Sequence, residues 1–395
     1  MAPGRIRIMI VDDSAVMRSL LRSVITADPG LEVAGTAADG ASALGCLDSI
    51  RPHLILMDVE MPVMDGLATL RALRERGHKM PVIMCSSLTQ HGAKVTIEAL
   101  SAGASDYVAK PAGQSNREQA VRALSQDLLP KIRALAGSAM PHPQAPLPAA
   151  TRAPLLFPNA TALPPPKASS ITSNPTVLAI GVSTGGPAAL DLLLPALPGN
   201  FPLPVLIVQH MPEVFTRMFA ERLSSLCPLR VREASEGDLI VPGVISIARG
   251  NWHLEAQLLT NPGAQLLANP SALSPTRPSS PPTLHLSQGP LENHCRPAVD
   301  VLFRSVARVY GAGVLAVVLT GMGSDGMNGC RIIREQGGSV LAQDEATSTV
   351  WGMPGAVATA GLAHKILPLA AIAPEILRIA AQTRASSAMS YRVVV

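Results

Sequence analysis

Acidic residues follow two early apolar segments of this chain. Asp12 and Asp13 come directly after the segment RIMIV, and Asp58 ends the segment HLILMD. Lys110 belongs to a later segment of the same part of the chain, DYVAKP. Carboxylates brought together repel one another unless a cation lies among them, and Mg²⁺ or Mn²⁺ prefers such oxygen ligands. Carboxylates, a metal ion and an ammonium group together suit phosphoryl transfer to an aspartate, although any one acidic residue alone is more often a helix or turn cap.

A second group of residues has the composition of a nucleophilic triad. Ser183 lies in GVSTGG, His210 in QHMP and Asp325 in TGMGSDG, and each follows an apolar run. The pattern Gly181-x-Ser183-x-Gly185 fits a tight strand-to-helix turn that exposes a serine hydroxyl. The alternatives for this stretch are a helix cap and a phosphate cradle, but no Gly-Lys-Ser/Thr follows. In a triad the histidine takes the serine proton and the aspartate orients the imidazolium ring.

The elements that must position these residues are parallel strands. In the first part of the chain, short apolar runs alternate with helix-like segments, which predicts a parallel sheet with helices on both faces. These runs are residues 7–11, 31–37, 53–58, 81–87 and 106–111. In the last part, continuous apolar runs predict the central strands of a second, doubly wound α/β sheet, at residues 176–182, 203–209 and 313–321. Because the carboxyl ends of parallel strands meet at one edge, each group of residues is expected to converge there.

The order of the triad along the chain separates it from one common fold. Enzymes with the α/β-hydrolase fold place the serine first, the acid second and the histidine last. Here the order is Ser183, His210, Asp325, and no HGGG-like stretch appears. The sequence therefore predicts a convergent triad on a different doubly wound sheet.

Composition excludes several classes of function. The formal net charge of +4 on 395 residues and the aromatic content of 3% argue against a nucleic-acid-binding face. Five cysteines without a CxxC motif indicate reduced thiols rather than disulfides or a zinc site. The N-terminus lacks the long apolar core of a signal peptide, and no apolar run reaches the roughly 20 residues of a bilayer span. We expect a cytoplasmic protein without membrane insertion.

Proline-rich stretches divide the chain. The segment at 126–170 is predicted to be a Pro/Ala-rich linker between a domain at 5–125 and a domain at 171–390. A second Pro/Ser-rich stretch at 269–287 is predicted to be a surface loop, because patterned sequence resumes on both sides of it.

The first part of the chain resembles the receiver domains of two-component systems. The stretches that carry the resemblance are IMIVDDSAVMR, LILMDVEMPVMDGL, VIMCSSLT and AGASDYVAKP. The resemblance covers about residues 5 to 125 and implies a flavodoxin-like fold with five parallel strands. It also implies that Asp58 is phosphorylated by a histidine kinase.

The same resemblance implies roles for the surrounding residues. It makes Asp12, Asp13 and Asp58 the side-chain ligands of Mg²⁺, and the backbone carbonyl of Glu60 completes that site. It makes Ser86, Tyr107 and Lys110 the switch residues: Ser86 and Lys110 sense the phosphoryl group, and the Tyr107 ring follows the switch. A cis peptide bond between Lys110 and Pro111 is a further expectation.

The last part of the chain resembles the catalytic domain of chemotaxis protein-glutamate methylesterases, the CheB family. The stretches concerned are IGVSTGGPAAL, VQHMP, GDLIVPGVISIARGNWHL, HCRPAVDVLF, VVLTGMGSDGMNGC and AQDEATSTVWGMPGAV. The resemblance implies hydrolysis of methyl esters on chemoreceptor cytoplasmic helices, and deamidation of receptor glutamines, without a cofactor. It makes Ser183 the nucleophile, His210 the general base and acid, Asp325 the orienting carboxylate and the Met322 amide the oxyanion donor.

A receiver joined to an enzyme implies control by phosphorylation. The hypothesis is that the receiver covers the triad at rest and that phosphorylated Asp58 loosens the interface through Ser86 and Tyr107. The competing functions are an output domain that binds a partner without catalysis, a transcription factor and a small-molecule esterase or amidase. The transcription factor would need a helix-turn-helix and a basic face, and neither is found in the second half.

Overall fold

Two parallel sheets organise the chain. The computed structural model describes residues 5–111, 116–137, 174–258 and 281–390. Five strands form the first sheet in the order β2-β1-β3-β4-β5, all parallel. They are β1 (Ile6–Val11), β2 (Leu31–Ala37), β3 (Leu54–Asp58), β4 (Val82–Ser86) and β5 (Asp106–Ala109). This topology confirms the predicted five-stranded parallel sheet.

Helices cover both faces of the first sheet. They are α1 (Ala15–Thr26), α2 (Gly40–Ile50), α3 (Gly66–Glu75), α4 (Gln90–Ser101) and α5 (Arg117–Gly137). Their starts are fixed by polar side chains that accept from free backbone amides, as Asp39 does at α2 and Asp65 at α3. Helix α1 buries Leu20, Leu21 and Val24 against the sheet, whereas Val16 in its first turn is 80% exposed.

A seven-stranded parallel sheet forms the second half. Its order is β14-β13-β12-β6-β7-β9-β8. Its strands are β6 (Val177–Val182), β7 (Val205–Gln209), β8 (Arg230–Glu233), β9 (Val244–Ile247), β12 (Val314–Val318), β13 (Ser339–Gln343) and β14 (Lys365–Leu367). Strands β6, β7 and β12 are buried along their whole length, as their unbroken apolar sequences predict. The doubly wound sheet is confirmed.

The second sheet is flanked by helices and accompanied by a separate two-stranded sheet. The helices are α6 (Gly186–Leu193), α7 (Glu213–Leu226), α8 (Val299–Tyr310), α9 (Met327–Glu335), α10 (Met353–Thr359) and α11 (Leu369–Ser390). Strands β10 (His253–Gln257) and β11 (Thr283–Ser287) form an antiparallel pair. None of the described helices combines the length and the apolar composition that a bilayer span requires.

The structure corrects two of the predicted boundaries. Helix α5 continues to Gly137, so the first residues of the predicted linker at 126–170 are helical. The rest of that linker lies outside the described residues, and the domain limits stay a prediction. The end of the predicted loop at 269–287 is strand β11, because its alternating sequence TLHLS buries Leu284 against the core.

The two halves pack against each other. Helix α4 of the first half contacts α6 and α7 of the second. One hydrophobic cluster runs continuously from one face of the first sheet to one face of the second. Ser101 on α4 donates a 2.5 Å hydrogen bond to Asp191 on α6, which also pairs with Arg222 on α7. Both polar and apolar contacts therefore join the two halves in this structure.

Candidate active site

The predicted triad residues follow three adjacent strands of the second sheet. Strand β6 lies between β12 and β7, and all three are parallel. Ser183 comes directly after β6 and His210 directly after β7. Asp325 lies in the segment between β12 and α9. The shared strand direction therefore brings all three residues to one edge of the sheet, as the sequence predicts.

A tight turn carries Ser183 from β6 into α6. Gly185 has a φ of +77°, a conformation that glycine adopts at little cost. A Cβ atom at Gly186 would lie 2.0 Å from Oε1 of Gln209, so this position has no room for a side chain. The Gly186 amide donates to the Ser183 carbonyl at 2.8 Å, and Pro187 occupies the first turn of α6. This is the geometry that the GxSxG pattern predicts.

His210 and Asp325 form a hydrogen-bonded pair. Nε2 of His210 lies 2.8 Å from Oδ2 of Asp325, and the carboxylate is 2% exposed. The backbone amides of Val299, Asp300 and Gly326 also donate to this carboxylate. Burial opposes its ionisation, but the His210 ring and these amides hold the pKa of Asp325 below its usual range.

The histidine of this pair favours its charged form. Burial opposes a charge on the ring, yet the hydrogen bonds with Asp325 and Cys295 outweigh it and raise the pKa of His210 to about 9. Sγ of Cys295 lies 3.6 Å from Nδ1 of the ring. Among the described residues, no hydrogen bond joins the Ser183 hydroxyl to His210. The structure thus holds the histidine by its acid and a thiol, with the serine beside it.

The histidine, the serine and Met322 line one cavity of about 750 Å³. Within the described part of the chain, the backbone amides of Met322 and Thr184 have no hydrogen-bond acceptor, whereas the Ser183 amide donates to the Thr320 carbonyl. Free amides next to a hydroxyl suit an oxygen that becomes negative. The sequence predicted the Met322 amide and missed that of Thr184, although the residue after the serine of such a turn commonly supplies a donor.

The first half of the chain supplies another wall of this cavity. Tyr107 and Lys131 line it, and Asp106 accepts a 2.6 Å hydrogen bond from the Thr184 hydroxyl. Tyr107 is 7% exposed, and its ring stacks on Phe215 of α7 with a centroid distance of 4.6 Å. The first half of the chain therefore directly contacts Thr184, the residue next to Ser183.

The predicted acidic cluster also assembles. Asp12, Asp13 and Asp58 bring carboxylate oxygens within 4.8 Å of one another at the carboxyl edge of the first sheet. Nζ of Lys110 lies 2.9 Å from Asp12 and 2.7 Å from Asp58. Burial raises the pKa of Asp58, and the ammonium group of Lys110 only partly offsets it. Glu60 lines the open pocket beside these carboxylates.

Two of the predicted switch residues are neighbours, because the Lys110 amide donates to the Ser86 carbonyl at 2.7 Å, whereas the third, Tyr107, faces the other half of the chain. Ser86 ends β4, and its hydroxyl accepts from Thr96 of α4 at 2.7 Å. Tyr107 on β5 lies at the interface with α7 rather than beside Ser86. The expected cis bond before Pro111 is absent; the cis bond among the described residues joins Arg296 and Pro297.

Several residues of the site were missed by sequence reasoning. Asn293 donates to Asp325 at 2.8 Å and to Asp300 at 3.0 Å, and Cys295 contacts His210. Asn293 and Cys295 lie on a turn that is distant in sequence from Asp325 and His210. No local sequence pattern predicts these contacts. The Asp106–Thr184 hydrogen bond depends on how the two halves dock. The only local signal for Asn293 and Cys295 is that they belong to the polar run ENHCR at residues 292–296.

Comparison with known proteins finds a family match for each half of the chain. The response regulator receiver domain matches residues 8–122, and CheB methylesterase matches residues 178–376. A protein-glutamate methylesterase/protein-glutamine glutaminase of a Nocardioides species is 48% identical over 97% of this chain and 98% of its own length. One from Trichodesmium erythraeum is 45% identical over 95% of this chain and 99% of its own length.

A solved structure is similar to the second half. The Thermotoga maritima CheB methylesterase catalytic domain is 36% identical, with a TM-score of 0.46 over 52% of this chain and 98% of that chain. The class defined by the family matches is a receiver domain joined to a hydrolase. The chain belongs to the CheB methylesterase family.

Proposed function

We propose that this protein hydrolyses glutamate methyl esters and deamidates glutamines on chemoreceptor cytoplasmic helices, and that phosphorylation of its receiver domain activates it. The observation that carries the proposal is the His210–Asp325 pair beside Ser183 at the edge of three adjacent parallel strands. The names of the relatives, methylesterase and glutaminase, support the substrate class.

The reaction begins with proton transfer from Ser183. Because Asp325 engages Nε2 of His210, Nδ1 is the nitrogen that takes the hydroxyl proton. The serine oxygen then attacks the γ-carbonyl carbon, and the free amides of Met322 and Thr184 donate to the developing oxyanion.

The leaving group distinguishes the two substrates. The imidazolium of His210 returns its proton to the departing methoxide or amide, which leaves as methanol or ammonia. A water molecule, deprotonated by the same nitrogen, hydrolyses the acyl-serine to free the glutamate and restore the hydroxyl. The same acyl-enzyme serves both activities.

The receiver carries the phosphoryl group on Asp58 in this proposal. The three clustered carboxylates fit Mg²⁺ because they are hard oxygen donors with their ligand atoms close together. Asp12, Asp13, Asp58 and the backbone carbonyl of Glu60 would hold the ion. When bound there, Mg²⁺ would neutralise negative charge on the phosphoryl oxygens. The nearby ammonium group of Lys110 adds a second positive charge.

Control follows from the contact between the halves. The Asp106–Thr184 hydrogen bond and the Tyr107–Phe215 stack close one side of the cavity that contains Ser183. The phosphoryl group of Asp58 attracts the Ser86 hydroxyl, which α4 holds through Thr96. Movement of α4 and Tyr107 then weakens the interface with α6 and α7, and receptor helices reach the triad.

Methanol release from a methylated receptor fragment tests the activity. The wild type should release methanol, and ammonia from the glutamine form, whereas Ser183→Ala should release neither above background. Hydrolysis of small esters without attack on the receptor would identify a small-molecule esterase instead. Signalling output that survives in Ser183→Ala would identify a binding domain without catalysis.

A truncation tests the control. Residues 171–395 alone should hydrolyse the receptor ester faster than the unphosphorylated full chain, because no receiver covers the cavity. Equal rates would refute occlusion by the receiver while leaving the hydrolase assignment intact.

A further inference from the structure

The two nitrogens of His210 have different partners. Nε2 is engaged by Asp325 at 2.8 Å, so a proton from Ser183 has only Nδ1 to go to. In the structure, Nδ1 contacts Sγ of Cys295 at 3.6 Å, within the range of a hydrogen bond to sulfur. In the described ranges, Ser183 makes no hydrogen bond with this ring. The nitrogen that the reaction needs is therefore occupied by a thiol at rest.

The turn that presents Cys295 is held in place from both sides. The backbones of Glu292 and Cys295 pair in both directions, and Glu292 also binds the guanidinium of Arg304. Asn293 and His294 adopt φ values of +51° and +62°. Such conformations are unfavourable for non-glycine residues and persist where the surroundings enforce them. The turn therefore holds the Cys295 thiol against the ring in the resting structure.

We propose that Cys295 is a positioning residue that occupies the proton-accepting nitrogen of His210 in the resting enzyme and yields it to Ser183 in the productive complex. The inference rests on the proposed function, since it assumes that Ser183 is the nucleophile. The sulfur accepts a hydrogen bond from the charged ring and so favours the protonated histidine, which cannot accept the proton of Ser183. A sulfur acceptor is weak enough to be displaced when substrate aligns the serine hydroxyl.

Other ionisable groups surround His210 and Cys295, and none of them is substituted in the test. On the catalytic side these are Asp325 with its neighbour Asp300, Glu213 at the start of α7, and His294 and Arg296 on the turn. Across the cavity they are Asp106, Asp127 and Lys131 of the receiver. A change seen on substitution of Cys295 alone is therefore assigned to the thiol.

The test measures the reactivity of Ser183 against pH in the full-length chain. A fluorophosphonate probe labels an activated serine: the serine oxygen bonds to phosphorus, fluoride leaves and the histidine takes the proton. In Cys295→Ala the pH of half-maximal labelling should fall by about half to one pH unit, because the loss of one hydrogen bond destabilises the charged ring. Labelling at neutral pH should rise correspondingly.

Two control variants make the result decisive. Cys295→Ser keeps a hydrogen-bonding atom and should lie closer to the wild type than Cys295→Ala, and Cys46→Ala on α2 should match the wild type. A lower plateau with an unmoved midpoint in Cys295→Ala would show a merely structural role and overturn the inference alone. A wild type whose Ser183 is never labelled would overturn the proposed nucleophile and the inference with it.

Discussion

At the residue scale, Asp325 engages Nε2 of His210, which in the proposed mechanism leaves Nδ1 as the base. Its carboxylate is buried and accepts from three backbone amides as well as from the ring, so it stays ionised. An ionised partner raises the pKa of the imidazole, and the resting ring is charged below a pH of about 9. Since only the neutral ring accepts a proton, hydrolysis by the resting enzyme should rise with pH up to that value.

Substitution Asp325→Asn tests this role. Loss of the negative charge should lower the pKa of His210, which moves the acid limb of the pH–rate profile to lower pH. The maximal rate of methanol release should fall by about three to four orders of magnitude, because the ring loses its correct tautomer. The exposed Glu345→Gln serves as the control. An unchanged acid limb in Asp325→Asn would contradict the assignment.

At the element scale, the strand-to-helix turn after β6 sets the position of the serine. Gly185 and Gly237 share a φ of +77°, but their surroundings differ. A Cβ at Gly185 would lie 2.3 Å from the Thr349 hydroxyl, whereas a Cβ at Gly237 would meet nothing within 4 Å. A comparison of substitutions at the two glycines therefore separates the cost of backbone strain from the cost of a steric clash.

We expect Gly185→Ala to cost more free energy of unfolding than Gly237→Ala. The left-handed backbone should destabilise both variants by about 1 kcal/mol, and overpacking should destabilise Gly185→Ala by about 1 to 3 kcal/mol more. Denaturant unfolding of the two variants measures the difference. Equal losses would mean that the turn after β6 has more room than the structure describes.

The strands and their ends were predictable because the local sequence determines them. Unbroken apolar runs identified β6, β7 and β12, and the polar residue after each run marked the functional edge. Strand β11 was hidden by the prolines around it, although it alternates apolar and polar residues. The contacts of Cys295 and Asn293 could not be predicted, since they join a turn to residues distant in the chain.

At the scale of the whole molecule, the proposed mechanism requires the docking of the two halves to control access to the cavity. The Ser101–Asp191 hydrogen bond lies in this interface on α4 and α6. Neither the sequence of the receiver nor that of the catalytic domain could predict this pairing, because it depends on how two folded surfaces meet. Ser101 takes no part in the proposed chemistry.

Ser101→Ala should therefore raise hydrolysis by the unphosphorylated full chain. The lost hydrogen bond weakens only the closed arrangement, by about 1 kcal/mol, which corresponds to an increase of roughly fivefold in the open fraction. Ser49→Ala on the exposed side of α2 is the matched control. A rate in Ser101→Ala that equals that of Ser49→Ala would contradict a controlling interface.

The most direct test of the whole account is the rate of methanol release from a methylated receptor, with and without a small-molecule phosphodonor. The comparison uses the full-length wild type and Asp58→Asn. We predict that the phosphodonor accelerates the wild type and leaves Asp58→Asn at its basal rate. Equal acceleration of both proteins, or of neither, would contradict control of Ser183 by a phosphoryl group on Asp58.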